Sequence, residues 1–122
     1  MATTSRSAGK KGEDLACKFL KKDKYKILDK NFSCRQGEID IIAEDRKGVL
    51  CFVEVKARSC EDYGLPVEAV THSKQKRLLA TAFIYLENKK IKSQDMLFDI
   101  VSVDLTNEET QIIKNAFDVN YY

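Results

Sequence analysis

Two apolar runs, each interrupted by carboxylates, dominate the hydropathy pattern in the middle of the chain. They lie within Gly37–Arg58, which reads GEIDIIAEDRKGVLCFVEVKAR, and the short turn Arg46-Lys47-Gly48 joins them. Both runs are rich in Ile, Val and Phe and are bounded by Gly, a pattern typical of adjacent antiparallel strands in a β-hairpin. The remaining predicted elements are arranged around this hairpin.

The turn sets the register of the hairpin. If Arg46-Lys47-Gly48 is a three-residue loop with Gly48 in the left-handed conformation, Asp45 pairs with Val49. A slip of one residue would move the side chains of one strand to the opposite face, so every inference about the face depends on this turn.

Four charged side chains then share one face of the hairpin. In this register Asp40 faces Glu54, and Glu38 faces Lys56. Directly opposed carboxylates, with Cβ atoms roughly 5 Å apart, repel each other unless a cation or a shared proton lies between them. A divalent metal ion is the natural partner, so the pattern predicts a metal site. The other face is predicted to be apolar, lined by Ile39, Ile41, Val53 and Val55.

A helix is predicted before the hairpin, from about Lys10 to Lys22. Its apolar stripe has helical spacing and consists of Leu15, Ala16, Phe19 and Leu20. Glu13 lies on the margin of this stripe, so its carboxylate either points toward the body of the protein or is an acid of the first helical turn, favoured by the helix dipole.

Residues 25–32 (YKILDKNF) alternate well enough to predict an edge or neighbouring strand, followed by a turn at residues 33–36. Arg35 in this turn is either a phosphate contact or a turn charge.

A second long helix is predicted in the C-terminal half. Pro66 introduces a short helical turn over Val67–Val70, and Thr71 or Ser73 can cap the long helix. The buried stripe is predicted to be Leu78, Leu79, Ala82, Phe83 and Leu86.

The first turn of this second helix carries three cations, Lys74, Lys76 and Arg77. Cations at the positive end of the helix dipole are unfavourable by up to ~1 kcal/mol each, and an anion docking there would reverse that cost. Gln75 lies on the buried stripe and could reach the charged face of the hairpin. The alternative is a solvated basic helix start.

The last third of the chain predicts two more strands. Leu97–Leu105 is nearly continuously apolar and predicts a central strand, in which Asp99 either supports the site or is an exposed strand charge. Thr110–Lys114 predicts a short strand, and Asn115–Tyr122 closes the fold through Phe117 or the terminal tyrosines. The order of helix, three strands, helix, strand and short strand predicts an α/β fold with a mixed central sheet flanked by helices.

Composition is compatible with one domain. The chain has 122 residues, of which 43% are hydrophobic and 33% charged. We predict a flexible basic arm over residues 1–9 and a single domain over residues 10–122. Since no run of 18 apolar residues occurs and the start lacks the apolar stretch of a secretory signal, we expect a cytoplasmic protein that does not enter a membrane.

The net charge of +2 is too small to demonstrate a nucleic acid partner. Its distribution is more informative. Cations gather at Arg6–Lys11, Lys18–Lys30 and Lys74–Arg77, whereas acids concentrate in the hairpin and near the C-terminus. This segregation fits a basic rim around an acidic pocket, although charge runs on helices are usually solvated faces.

The four cysteines are widely spaced without a CxxC motif, which predicts reduced thiols. A zinc site of Cys34, Cys51 and Cys60 would have only His72 as its fourth candidate ligand.

Seven short motifs carry a family resemblance that covers nearly the whole chain. The sequence resembles the YraN-like family of small bacterial proteins, which is similar to the restriction-endonuclease-like PD-(D/E)xK superfamily and, within it, to archaeal-type Holliday junction resolvases. A lone ExK in a strand is weak, but the joint order and spacing of the motifs are specific. They are GEDLA at Gly12–Ala16, NF at Asn31–Phe32, GEIDII at Gly37–Ile42, FVEVKAR at Phe52–Arg58, PVEAV at Pro66–Val70, KQKRL at Lys74–Leu78 and FDIV at Phe98–Val101.

The resemblance implies a restriction-endonuclease-like core and metal-dependent phosphodiester hydrolysis. Asp40 and Glu54 match the acids that bind Mg²⁺ or Mn²⁺, Lys56 matches the catalytic lysine, and Glu13 matches the helix-borne acid of resolvase-like members. The implied partner is nucleic acid, DNA before RNA, and a homodimer is expected because resolvase-like relatives are dimers. The side chains expected to contact substrate are Arg35, Arg58, Lys74, Gln75 and Arg77.

Three functional hypotheses follow. The first is an endonuclease that acts on branched or otherwise structured DNA. The second is a non-catalytic nucleic-acid-binding or accessory protein that retains the nuclease fold. The third is a purely structural domain in which Glu38 and Lys56 form a cross-strand salt bridge.

Overall fold

A five-stranded mixed sheet with one helix on each face makes up the described part of the chain. The structure is a computed structural model and describes residues 5–59, 71–92 and 95–117, with side chains from residue 9. The predicted α/β class and mixed sheet are confirmed. In chain order the elements are α1 (Ser5–Lys22), β1 (Lys26–Cys34), β2 (Gly37–Glu44), β3 (Leu50–Arg58), α2 (His72–Asn88), β4 (Met96–Asp104) and β5 (Thr110–Ile113).

The strands lie in the sheet in the order in which they occur in the chain, β1-β2-β3-β4-β5. Only β3 and β4 pair in parallel, and the other neighbours are antiparallel. A parallel pair requires a crossover connection, which α2 provides. Because α2 connects two parallel strands, it runs antiparallel to them, and its first turn lies at the end of the sheet where β3 has its C-terminus.

Each face of the sheet has its own apolar core. The α2 face includes Ile42, Phe52, Phe98 and Phe117, and the α1 face includes Ala16, Leu20, Ile41 and Val53. On the α2 face the ring of Phe98 lies 5.4 Å from that of Phe52 and 4.9 Å from that of Phe117. Phe117 therefore closes the fold as predicted.

Two predictions about the helices need correction. Helix α1 begins at Ser5, five residues before the predicted start, so Glu13 lies in the interior of the helix and not in its first turn. On α2, Phe83 does not belong to the buried stripe because it is 48% exposed. Tyr85 is buried instead, with its ring edge-on to Phe32 and its hydroxyl donating to Asp29 Oδ2 at 2.7 Å.

The close approach of α1 to β3 depends on Gly12. A Cβ at position 12 would lie 2.6 Å from the Cβ of Ala57, whereas one at Gly9 of the same helix would meet nothing within 4 Å. We expect Gly12→Ala to destabilise the fold by about 1–3 kcal/mol through overpacking. The matched control Gly9→Ala should stabilise it by up to ~1 kcal/mol. Urea unfolding of both variants checks this, and equal midpoints would contradict it.

The cysteines described are free thiols, namely Cys17, Cys34 and Cys51. Cys60, the helical turn predicted at Val67–Val70 and the terminal tyrosines lie outside the described residues. Neither described helix combines the length and the apolar character that crossing a membrane would require.

Candidate active site

The hairpin turn forms as predicted. Gly48 adopts a left-handed φ of 83°, and Asp45 N–H donates to the carbonyl of Val49 at 3.0 Å. Asp45 Oδ1 also accepts the backbone N–H groups of Lys47 and Val49, at 2.8 and 2.9 Å. The resulting register, from Glu44–Leu50 to Ile41–Val53, is the predicted one.

Beyond the Ile41–Val53 pair the hairpin opens into a fork. The backbone pairing of β2 with β3 stops there, while β3 remains paired with β4 as far as Arg58. Inside the fork, Asp40 Oδ2 accepts the N–H of Val55 at 2.8 Å, so a carboxylate takes the position of a strand carbonyl. The strand-to-strand pairs predicted at and beyond Asp40 are therefore wrong, namely Asp40 with Glu54 and Glu38 with Lys56.

The predicted apolar face is also wrong at Ile39. Ile39 packs in the α2-side core and Ile41 in the α1-side core, although residues two apart in a regular strand share a face. The alternation changes at Asp40, and in neighbouring β1 the residue Asn31 has a left-handed φ of 54°. The pairing of β1 with β2 is also irregular, with a register shift between Ile27 and Asp29.

Burial and neighbouring acids shift the titration of Asp40. The pKa of its carboxyl is raised from the ordinary 3.8 to about 7, mainly by burial and next by the negative charge of Glu54. Glu13 from α1 and Glu38 from β2 also contribute to this rise, and the Val55 N–H opposes it. Three acids from three elements are thus close enough to Asp40 to repel its negative charge, and a cation in the fork would relieve that repulsion.

Glu54 has a cationic partner that the sequence did not reveal. Lys74 Nζ donates to Glu54 Oε1 at 2.7 Å, and the two side chains are 31% and 12% exposed. Thr71 is the N-cap of α2, as predicted, and its side chain accepts the N–H of Lys74 at 3.2 Å. The capped helix start therefore presents Lys74 to β3. The three cations crowded at the positive end of a helix were the signal that at least one of them pairs with an acid elsewhere.

The other predicted site residues lie at the same end of the sheet, near the C-terminus of β3. Glu13, Lys56, Arg58 and Gln75 are half-buried, and Arg35 and Arg77 are exposed. Beside the Lys74–Glu54 pair is a cleft of about 160 Å³ lined by Gly37, Glu38, Lys74, Arg77 and Leu78. Among the described residues Glu38 and Lys56 form no salt bridge, so the cross-strand pair predicted by the third hypothesis is absent.

The chemistry of the donor set fits a hard divalent cation, but two features of its arrangement oppose metal binding. Mg²⁺ and Mn²⁺ prefer oxygen ligands, and Asp40, Glu54 and Glu13 offer carboxylates around a partly desolvated position. As they stand, however, no three His, Cys, Asp or Glu side chains in the described ranges are arranged to hold a metal ion. The ion pair of Glu54 with Lys74 must open before Glu54 can serve as a ligand.

Asp99 is a buried residue of β4, so the predicted alternative of an exposed strand charge is wrong. It is 1% exposed, and its Oδ1 accepts the N–H of Asn115 at 2.8 Å. Burial raises the pKa of the carboxyl, and the Asn115 N–H and the neighbouring thiol of Cys51 oppose this rise. Asp99 thus fastens the turn after β5 to the sheet.

Fold and site together define a small α/β protein with a carboxylate cluster at a fork in its sheet. Residues 12–103 match the family described as "Uncharacterised protein family UPF0102". The chain belongs to this family, which confirms the predicted resemblance to YraN-like proteins at the level of the family.

Relatives of similar length support this membership. A UPF0102 protein of Persephonella marina is 44% identical over 113 residues, covering 93% of this chain and 95% of the relative. One from Clostridium perfringens strain SM101 is 43% identical, covering 98% and 100%. One from Geobacter metallireducens is 42% identical, covering 99% and 100%.

Proposed function

We propose that the protein is a cytoplasmic, metal-dependent endonuclease that hydrolyses phosphodiester bonds in branched or otherwise structured DNA. On this proposal the fold is a restriction-endonuclease-like PD-(D/E)xK core, similar to archaeal-type Holliday junction resolvases. The observation that carries the proposal is the fork, where Asp40 is held by the Val55 N–H among the charges of Glu54 and Glu13.

The carboxylates and Lys56 have separate roles in this proposal. Asp40 and Glu54 hold Mg²⁺ or Mn²⁺, with Glu13 as a third acid from α1. The metal supplies a bound water of lowered pKa and neutralises charge on the phosphate. Lys56, half-buried two residues after Glu54, orients the attacking water or stabilises negative charge that develops on the phosphoryl oxygens.

Substrate binding is assigned to the basic side chains that surround the fork at this end of the sheet. Lys74 and Arg77 line the cleft of about 160 Å³ at the start of α2, where the helix dipole also favours an anion. Gln75 lies in the same helical turn, while Arg35 in the β1–β2 turn and Arg58 at the end of β3 extend the rim. A homodimer would offer two such sites to the two strands of a junction.

Cleavage of defined DNA substrates tests the proposal. Purified protein is incubated with Mg²⁺ or Mn²⁺ and with branched, single-stranded and duplex DNA, and the products are resolved on denaturing gels. We expect metal-dependent cleavage with a preference for branched DNA. Glu54→Gln should abolish it, while the matched control Glu87→Gln, at an exposed acid of α2, should cleave like the wild type. Absence of cleavage under all conditions, or equal cleavage by Glu54→Gln, would refute it.

The Lys74–Glu54 pair favours a second candidate, a nucleic-acid-binding or accessory protein without catalysis, because an internal cation already satisfies Glu54. This candidate requires salt-dependent DNA binding that persists in Glu54→Ala and Lys56→Ala, with no uptake of metal in calorimetry. Metal-dependent cleavage by the wild type would exclude it.

A further inference from the structure

The ion pair between Lys74 and Glu54 is the shortest salt bridge among the described residues. Its 2.7 Å separation is that of a charge-assisted hydrogen bond, and the Glu54 side chain is only 12% exposed. The other ion pairs described, such as Lys10–Asp14 at 3.5 Å, are longer and join side chains that are more exposed than those of Lys74 and Glu54. An exposed ion pair contributes little to the stability of the fold. A carboxylate as buried as that of Glu54 would be costly to bury without a cation beside it.

We propose that Lys74 is a placeholder cation, whose ammonium holds Glu54 in the fork until a divalent metal ion displaces it. This inference rests on the proposed metal site. Glu54 Oε1 accepts Lys74 Nζ directly, so an incoming metal ion and the ammonium would compete for the same carboxylate. Two cations on one carboxylate repel each other, and so metal binding has to move the ammonium.

The structure gives the ammonium room to leave without moving the helix. The backbone of Lys74 is fixed by its hydrogen bond to the Thr71 cap, while the side chain ends a flexible four-carbon stem. The cleft of about 160 Å³ that Lys74 lines with Arg77 opens beside the pair and can accommodate several waters or a phosphate-sized group. Once displaced, the ammonium swings into this cleft and joins Arg77 as a contact for an anion. Metal loading thereby prepares the binding of substrate.

The test compares Lys74→Met with Lys76→Met, which removes an exposed cation from the same helical turn and changes the net charge equally. Thermal unfolding in EDTA and calorimetric titration with MnCl₂ are measured for both. In EDTA, Lys74→Met leaves Glu54 without its cation and should lower Tm by about 4 °C. Saturating Mn²⁺ should restore this loss, and the affinity for Mn²⁺ should rise about tenfold because the competitor is gone. Lys76→Met should match the wild type in both measurements.

A second variant keeps the test informative if Lys74→Met does not fold. Lys74→Gln can still donate to Glu54 without a charge, so it should show a smaller loss of Tm and a higher Mn²⁺ affinity than the wild type. If the wild type binds Mn²⁺ and both Lys74 variants bind it with unchanged or lower affinity, Lys74 is not a placeholder. This outcome leaves the proposed function intact. No Mn²⁺ binding by the wild type or by either variant overturns both proposals.

Discussion

Asp40→Asn is expected to abolish cleavage and, at the same time, to stabilise the metal-free protein at pH 8. Asparagine cannot serve as an anionic metal ligand, but its Oδ1 can still accept the Val55 N–H that Asp40 accepts at 2.8 Å. The variant therefore keeps the geometry of the fork and loses one of its negative charges. Activity and stability should change in opposite directions.

The pH dependence follows from the raised pKa of Asp40. In the folded protein the pKa of this carboxyl is about 7, against an ordinary value of 3.8. The neutral carboxyl thus contributes stability that is fully present below pH ~4 and is lost as pH rises through about 7. At pH 8 Asp40→Asn should be more stable than the wild type by about 2 kcal/mol, below the full linkage value because solvent partly reaches the group. At pH 4 the two should be equal.

Urea unfolding in EDTA at both pH values measures this difference. Asp14→Asn is the control, because Asp14 is an exposed aspartate on α1 whose ion pair with Lys10 is 3.5 Å long. It should change neither the stability difference between the two pH values nor cleavage. A variant Asp40→Asn that is less stable than the wild type at pH 8, or that still cleaves DNA, would be incompatible with a repulsive acid cluster built to receive a cation.

Lys56→Met should slow cleavage by about 10²–10³-fold without weakening the binding of metal, since losing one group that stabilises developing charge has a cost of this size. Lys56 lies half-buried on β3, on the same strand as Glu54, yet it is a cation and cannot be a metal ligand. Its removal should therefore affect the rate and not the Mn²⁺ affinity.

Single-turnover cleavage and calorimetry with MnCl₂ separate these two effects for Lys56. Lys47→Met is the matched control, because Lys47 is an exposed cation in the hairpin turn, at the opposite end of β3 from the fork. It should behave like the wild type in both assays. If Lys56→Met cleaves at the wild-type rate, or binds Mn²⁺ more weakly than the wild type, the assigned role of Lys56 is wrong.

The register of the hairpin was predictable because it is decided locally. Gly48 favours the left-handed conformation and Asp45 can satisfy the N–H groups of its own turn, so four residues determine the pairing of Ile41 with Val53. The element order was equally accessible from hydrophobic spacing and from Thr71 as the cap of α2.

The fork was not predictable from alternation. A period of two places Ile39 and Ile41 on one face, but the structure separates them because β2 leaves β3 at Asp40. At the departure a side chain, that of Asp40, accepts the backbone N–H of Val55, a contact between residues fifteen positions apart. Such tertiary features override the local pattern.

The pairing of Lys74 with Glu54 was missed for a similar reason, since it joins residues twenty positions apart on different elements. The sequence also did not show that Phe83 is exposed while Tyr85 is buried with its ring against Phe32. The membership of Glu13 in the acid cluster was indicated by its place on the stripe margin, but only the earlier start of α1 removes the alternative of a first-turn acid.

Because the order of strands in the sheet is also their order in the chain, the parts of the site differ in how easily they assemble. Short connections join β1, β2 and β3, so the entropy lost in closing these loops is small. Pairing β3 with β4 requires the long crossover through α2, which is costlier and slower to find. Loop closure therefore favours bringing Asp40 and Glu54 together before the helix that carries Lys74 docks. The repulsion among the acids therefore opposes the most local step of folding, the pairing of β2 with β3. The ammonium of Lys74, which neutralises Glu54, is added only when α2 docks, the most distant step.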